Sequence, residues 1–569
     1  MPNLPLISNR INSIRLLLLL IVAVVLTYGV VYPNLTILAT SLQQEDGRWT
    51  LVHYFDLLSQ RNTLYAIINS LILSIGTVAL CALLGVSLAF LFERYSFPFR
   101  RLFSVLAALP LVLPPLVGTI AFIFLLGESG ILSRMIQNSL GLSSAPWTLR
   151  GWPALFLFHT YTMYPFFYVL TGAGLRRIDA NLAEAARSLG ANRLTVLRRV
   201  LLPQLTPSLI AAALLTFMTS MASFSAPLFF GGTVRVLTLE IYTARQRGDT
   251  FVAVTATVVL AVISLATLIV FQRYEGTRRF VAAAMKGAPR PRATISKGFG
   301  RALATAAAVI FSTLLILPIL TLIVVSFARE GSWTTQTMPS AYGLSNYIRL
   351  MNEPQASEVF TNSFSMSAVA VLGALAWSFC VVTLVAARRS ESRLAPYWKR
   401  LVSLLVLIPW ALPGTVVAVS IAEAYGRPSP LLGSFILVGT FWILPVVYFL
   451  RFMPLVVRAV QASMEQIDPA LPEAAGSLGA SAWRRFTHVT LPLVWPGAVA
   501  GTLLAFVIAL GEYVASVLVF VPLNRPISIA IASEMRDFNL GTAAAYGVVL
   551  IGIIAVVMVG AGKLERLRG

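Results

Sequence analysis

Two cysteines, three histidines and a charged fraction of 11% are the scarcities that mark this 569-residue chain. Cys81 and Cys380 fall inside apolar runs with no partner motif near either, so count and spacing exclude a disulfide framework and a zinc site. His53, His159 and His488 show no metal or catalytic spacing. A Gly-x-x-x-x-Gly-Lys-Ser/Thr phosphate loop is also missing, since Gly562-Lys563 is followed by Leu564 and lacks the leading glycine. The chain is therefore expected to do no chemistry of its own and to bind no cofactor. Soluble domains carry about 25% charged residues. Here 57% of residues are hydrophobic and the mean hydropathy is +0.82, an excess that a soluble core cannot hide without large exposed patches. Acidic residues are scarce as well, 22 against 43 basic, giving a net charge of +21. The bases sit in short loops between apolar runs, not on an amphipathic surface with interleaved aromatics, which argues against nucleic acid as a partner.

What remains is a polytopic all-α membrane protein lying in a lipid bilayer. A span needs roughly 20 apolar residues, and twelve can be placed. Six lie near 14–40, 62–92, 101–126, 151–175, 204–230 and 251–272. Six more lie near 301–327, 358–387, 401–425, 433–457, 493–521 and 540–562. This divides the chain into a first transmembrane domain (1–272), a basic linker (273–300) and a second transmembrane domain (301–569). Lys and Arg are retained on the cytoplasmic side of such proteins. Arg94, Arg100 and Arg101 share one predicted inner loop, and Arg388, Arg389, Arg393, Lys399 and Arg400 its counterpart. Arg278, Arg279, Lys286, Arg290, Arg292 and Lys297 make the linker cytoplasmic, while Glu45, Asp46, Glu353 and Glu358 mark outer loops. Arg10 and Arg15 before the first run, and Lys563, Arg566 and Arg568 after the last, place both termini inside.

The halves repeat one another. Pro165, Asp179, Glu184, Gly190, Pro203 and Phe217 match Pro454, Asp468, Glu473, Gly479, Pro492 and Phe506 at a constant offset of 289 residues. Asn69-Ser70 corresponds to Asn362-Ser363, and Pro110 and Pro114 to Pro409 and Pro413. Six spans per half leave both halves in one orientation, related by a pseudo-two-fold axis along the membrane normal.

The most informative segment lies between the fourth and fifth span of each half. One copy holds Asp179, Glu184-Ala185-Ala186, Gly190 and Leu202-Pro203; the other holds Asp468-Pro469, Glu473-Ala474-Ala475, Gly479 and Leu491-Pro492. Asp179 and Asp468 suit helix N-caps, Pro469 a first helical position, and Gly190 and Gly479 a left-handed closing residue. Asn192 and Ser481 then cap a second short helix, expected to end before Pro203 and Pro492. Each half should thus present a helix–turn–helix on the cytoplasmic face.

These residues resemble the EAA loop of ABC importer permeases of the type I architecture, in which Glu-Ala-Ala, three residues, Gly and a later Leu-Pro recur. The resemblance covers nearly the whole chain. It implies a fused permease of two parallel six-helix repeats in the bacterial inner membrane, served by two copies of a cytoplasmic ATPase that carries the ATP and Mg. It further implies a periplasmic binding protein that delivers the solute. By the same resemblance Glu184, Ala185, Ala186 and Gly190, with Glu473, Ala474, Ala475 and Gly479, form the coupling helices that dock on the ATPase. Pro472 and Gly476 depart from the first copy and imply a shorter or looser second coupling helix. A secondary transporter of two parallel six-helix halves is the rival class, but would not repeat this loop.

Ionisable groups inside spans mark function by default. Glu512 falls within the eleventh predicted span, with Ser223 as its half-one counterpart. Two readings are open: a pathway residue, or a packing carboxylate bonded to a hydroxyl or backbone group. Asn69 and Asn362 read as interhelical hydrogen-bonding glue. Pro110, Pro114, Pro115, Pro409 and Pro413 should kink the third and ninth spans. The segments 223–227 and 511–515 look like the ferric-iron branch of these permeases, with thiamine and phosphonate importers similar enough to stay open.

Overall fold

The computed structural model describes residues 16–44, 46–276, 293–294, 298–333, 336–386, 395–428 and 433–566. The charge assignments resting on Arg10, Arg15, Glu45, Arg388, Arg389, Arg393, Arg568 and the six linker bases Arg278, Arg279, Lys286, Arg290, Arg292 and Lys297 lie outside the described residues. Among the described residues ten helices are long and apolar enough to cross a membrane, and the pair Tyr397–Ala411 and Gly414–Tyr425, bent by 107°, reaches that length only when its two arms are taken together. The fourth predicted span is the 27-residue helix Gly151–Arg177, less apolar because it carries His159 and three tyrosines.

Two expectations on the spans need correction. The third is not one kinked helix but three pieces: Arg100–Leu106, a 3-10 turn at Leu109–Leu111, and Pro115–Leu126. Proline has no N–H to donate and clashes with the carbonyl four residues back, and three prolines in six residues leave no uninterrupted turn. The tenth runs from Ile443 to Glu465, not 433–457. Gly433 and Gly439 adopt φ of +61° and +87°, which holds the preceding stretch out of helix.

Within each half, small residues set the closest approaches. A Cβ on Gly85 would come within 2.5 Å of the Tyr164 carbonyl oxygen, so helix Arg61–Arg94 meets Gly151–Arg177 only because that position is glycine. Further along, Gly174 lies against Ser208 in half one, while Ser463 lies against Gly497 at the equivalent positions in half two. Glycine and serine have exchanged sides, and the contact is kept. Conversely, each first span crosses to the other half. Tyr425 donates to the Tyr28 carbonyl at 2.6 Å, and Tyr161 to the Leu315 carbonyl at 2.8 Å.

The expected roles of Asn69 and Asn362 take a more specific form. Asn69 donates to the Arg235 carbonyl and Asn362 to that of Leu523, while Ser70 and Ser363 accept the amides of Leu237 and Ile527 at 2.8 and 2.7 Å. Leu237 and Ile527 are the first residues of helices Leu237–Arg247 and Ile527–Arg536. A helix leaves its first amides without internal partners, and here a neighbouring span supplies the cap. The second span of each half thereby holds the segment that follows the fifth.

Candidate docking loops and axial site

The two loops fold alike. Asp179 accepts from the Asn181 amide at 3.0 Å and starts helix Ala180–Ser188; Asp468 accepts from the Ala470 amide at 2.9 Å ahead of helix Ala470–Ser477. The second helix is one residue shorter, eight against nine. Gly190 and Gly479 both sit at φ +83°, and Asn192 and Ser481 cap the next turn through the amides of Thr195 and Arg484. That next helix does not stop at the Leu-Pro step as expected. It runs through π turns at Leu197–Leu201 and Phe486–Thr490 into the fifth span of each half, Leu202–Met221 and Leu491–Leu510. The residues four before Pro203 and Pro492, Arg199 and His488, lie within those widened turns. The π turn moves aside the carbonyl that proline would strike, so each loop is continuous with a span.

Glu184, Ala185, Glu473 and Ala474 are exposed, with Ala186 and Ala475 half-buried. Sequence reasoning missed their neighbours Leu189 and Leu478, equivalent by the repeat, which are 89% and 88% exposed at the tip of each turn. Both copies thus present a leucine at the same place and the same exposure. The signal was present as Ser-Leu-Gly in each loop.

A second site lies where the fifth spans end. Helix Leu202–Met221 stops before Ser223, and helix Leu491–Leu510 before Glu512, so Glu512 sits in a break, not well inside a helix as the sequence suggested. The carbonyls freed at these breaks are captured by repeat-equivalent hydroxyls: Thr238 donates to Ser223 O at 2.7 Å, and Ser528 to Glu512 O at 2.8 Å. Phe224 and Tyr513, one residue on, are also repeat equivalents, and their rings lie 5.8 Å apart. Equivalent points under a two-fold can touch only near its axis, so both breaks flank the pseudo-two-fold axis. Gly511 packs there on Pro114 of the other half, where a Cβ would come within 2.9 Å.

The side chains at the axis differ between halves. In half one Ser223 Oγ is 2.9 Å from Nε2 of His159, which is fully buried and also meets Ser220 and Thr77 at 3.2 and 3.3 Å through Nδ1. That set carries no carboxylate. In half two Glu512, 5% exposed, pairs with Arg451 at 3.3 Å and accepts from the Ala515 amide at 2.9 Å. Arg451 lies over Gly414, where any Cβ would overlap its guanidinium, and its Nη1 has no hydrogen-bond partner among the described residues. Gly414 begins helix Gly414–Tyr425, whose N-terminal end is electropositive. Glu512 therefore balances both a guanidinium and a helix end. Arg451 was missed in the sequence although an arginine within a predicted span calls for a partner. Among the described residues no group of three or more His, Cys, Asp or Glu side chains could hold a metal ion.

Residues 81–279 and 381–568 each match the family described as binding-protein-dependent transport system inner membrane component. A probable ABC transporter permease of Sinorhizobium fredii is 29% identical over 513 residues, 89% of either chain. A ferric transport system permease of Actinobacillus pleuropneumoniae is 24% identical over 551 residues, 95% of this chain and 77% of its own. A molybdenum transport system permease of Mycobacterium tuberculosis is 31% identical over 240 residues, 42% of this chain and 87% of its own. Among solved structures, a bacterial ABC transporter for alginate import aligns at a TM-score of 0.37 and 16% identity, over 48% of this chain and 99% of its own. With the family matched twice, once in each repeat, the chain belongs to the inner-membrane components of binding-protein-dependent transport systems, as a fused, non-enzymatic ABC importer permease.

Proposed function

We propose that this permease carries ferric iron across the inner membrane, driven by two copies of a cytoplasmic ATPase that dock on the loops holding Glu184 and Glu473. The observation that carries the docking role is the pair of identically capped loops, each with an exposed leucine at its tip and each continuous with a span that ends at the axis. A pull on either loop therefore reaches Ser223 or Glu512 through one helix. ATP and Mg belong to the ATPase. Its closure shifts the balance between inward- and outward-facing arrangements, a population shift of a two-state assembly. A periplasmic binding protein delivers the solute on the opposite face. Iron is favoured because relatives named as ferric transport permeases match 85% of the chain or more, whereas the molybdenum and 2-aminoethylphosphonate permeases match less than half. Thiamine or a phosphonate is the alternative cargo.

The test is uptake of radiolabelled ferric iron into proteoliposomes holding the permease, with the ATPase and the ferric-loaded binding protein supplied. ATP-dependent accumulation is expected. Accumulation of a phosphonate or thiamine but not iron overturns the cargo, and accumulation without the ATPase overturns the mechanism.

The same reading places both termini and the linker in the cytoplasm. In a cysteine-free background, Met285→Cys and Glu565→Cys should resist a membrane-impermeant thiol reagent in intact cells and react after lysis. Efficient labelling of either in intact cells reverses the topology.

A further inference from the structure

In half one, a small apolar cluster seals the coupling helix to the spans: Ile178, Ala183, Val196, Leu201 and Leu205 are all buried. Adding the repeat offset gives Ile467, Pro472, Arg485, Thr490 and Val494. Two of the five are now polar, and a third, Pro472, cannot reproduce a helical alanine. The sealed cluster is replaced by a cavity of about 650 Å³ lined by Arg485, Thr490, Pro472 and Ile467. Arg458 joins the lining, where half one has Val169. The Glu93–Arg176 ion pair of half one has no equivalent there, since Glu465 stands at the position of Arg176.

The lining is of two kinds. Val381, Val406, Val457 and Met464 are its apolar part. Its charged groups are Arg458, Arg485, Glu465 and Glu473. Both carboxylates are exposed, and Glu465 accepts from Gln461 at 2.9 Å. Arg485 is different, because its Nε is buried and has no hydrogen-bond partner among the described residues. A buried donor left without an acceptor is costly. What Arg485 Nε lacks is therefore an acceptor, and it stands in a lining that also carries apolar side chains.

We propose that this cavity binds one phospholipid, its headgroup phosphate on Arg485 and Arg458 and its acyl chains along the valine wall. Arginine suits phosphate because its planar fork can donate two parallel bonds, and basic pockets between spans on the cytoplasmic side are established headgroup sites. This rests on the reading that the coupling loops face the cytoplasm, which sets the cavity at the inner leaflet. Because Glu473 lines the same cavity, an occupied site stiffens the half-two coupling helix against its span, as the apolar cluster does in half one. The half-one loop needs no such ligand.

The experiment uses the permease–ATPase complex in vesicles of phosphatidylcholine with phosphatidylglycerol, then extraction and native mass spectrometry. Wild type should retain one phosphatidylglycerol, and Arg458→Val with Arg485→Val, which restores the half-one residues, should lower its occupancy at least tenfold. Arg458→Lys with Arg485→Lys keeps the charge and should retain part of it, which separates loss of the site from loss of the fold. Equal retention by wild type and the valine variant, with the ATPase still bound, overturns the lipid site and leaves the docking reading intact. Displacement of the lipid by millimolar inorganic phosphate, or phosphate binding in phosphatidylcholine alone, identifies a free anion as the ligand and overturns the lipid. Failure of wild type to hold the ATPase counts against the docking reading instead.

Discussion

Glu473→Arg is expected to release the ATPase during purification and abolish uptake, while the binding protein still associates with the opposite face. The residue is exposed on a helix fixed by the Asp468 cap and the Gly479 turn, and it has no ion-pair partner within the chain among the described residues. A carboxylate presented in this way is available to a basic groove. Truncating one member of a buried charged pair across an interface costs about 2–5 kcal/mol, and reversing the sign adds repulsion. Glu184→Arg should act in the same direction but less strongly, because its helix is a residue longer and is sealed beneath by the Ile178–Leu205 cluster. Leu189→Asp and Leu478→Asp test the apolar part of the same surface and should also weaken retention. The measurement is a pull-down of ATPase and binding protein for each variant, run beside uptake. Normal ATPase retention with lost uptake would remove these residues from docking.

A second large effect is expected at the axis. Glu512→Gln keeps the shape of the side chain but leaves Arg451 against the start of helix Gly414–Tyr425 with nothing to balance it. Breaking a buried ion pair from one side costs about 3–5 kcal/mol, and each 1.4 kcal/mol is a factor of ten in an equilibrium. That cost falls on the arrangement in which the pair is made, and uptake should fall at least tenfold with ATPase retention unchanged. Ser223→Ala, at the equivalent place in half one, removes a neutral hydrogen bond to His159 worth about 1 kcal/mol, and should lower uptake fivefold at most. Uptake that survives Glu512→Gln but fails in Ser223→Ala would reverse the assignment of the two halves.

How legible this molecule was from its residues depended on where the determining interaction lay. The loops could be read because their determinants are local: a cap at Asp179, a positive-φ glycine at Gly190, and the same pattern 289 residues later. The breaks in the third and ninth spans followed from proline, though the sequence suggested kinks where the third is divided into pieces. Continuity of the loop with the fifth span could not be read, because proline argues locally for a stop and only the widened π turn removes the clash. Glu512 was found as an intramembrane charge, but its partner Arg451 lies 61 positions earlier on another helix, and no local pattern joins them. The cavity beside helix Ala470–Ser477 was hidden for a different reason. It arises from substitutions at separated positions, Pro472, Arg485 and Thr490 among them, that acquire meaning only when the halves are laid on one another.

The crossing of each first span to the opposite half has a consequence in time. Helix Leu16–Ser41 buries Leu26 and Val30, Gly29 meets the Leu450 side chain, and the Tyr28 carbonyl takes its bond from Tyr425. Those partners are made close to four hundred residues after the helix itself. At about 5–20 residues per second, this helix waits roughly 20–80 s for those partners. The later segment Phe299–Ser326 finds its partners on Gly151–Arg177 already in the bilayer, although Leu322 still awaits Gly547 on the helix Leu540–Arg566. The first span of each half is thus completed only when later segments of the chain arrive.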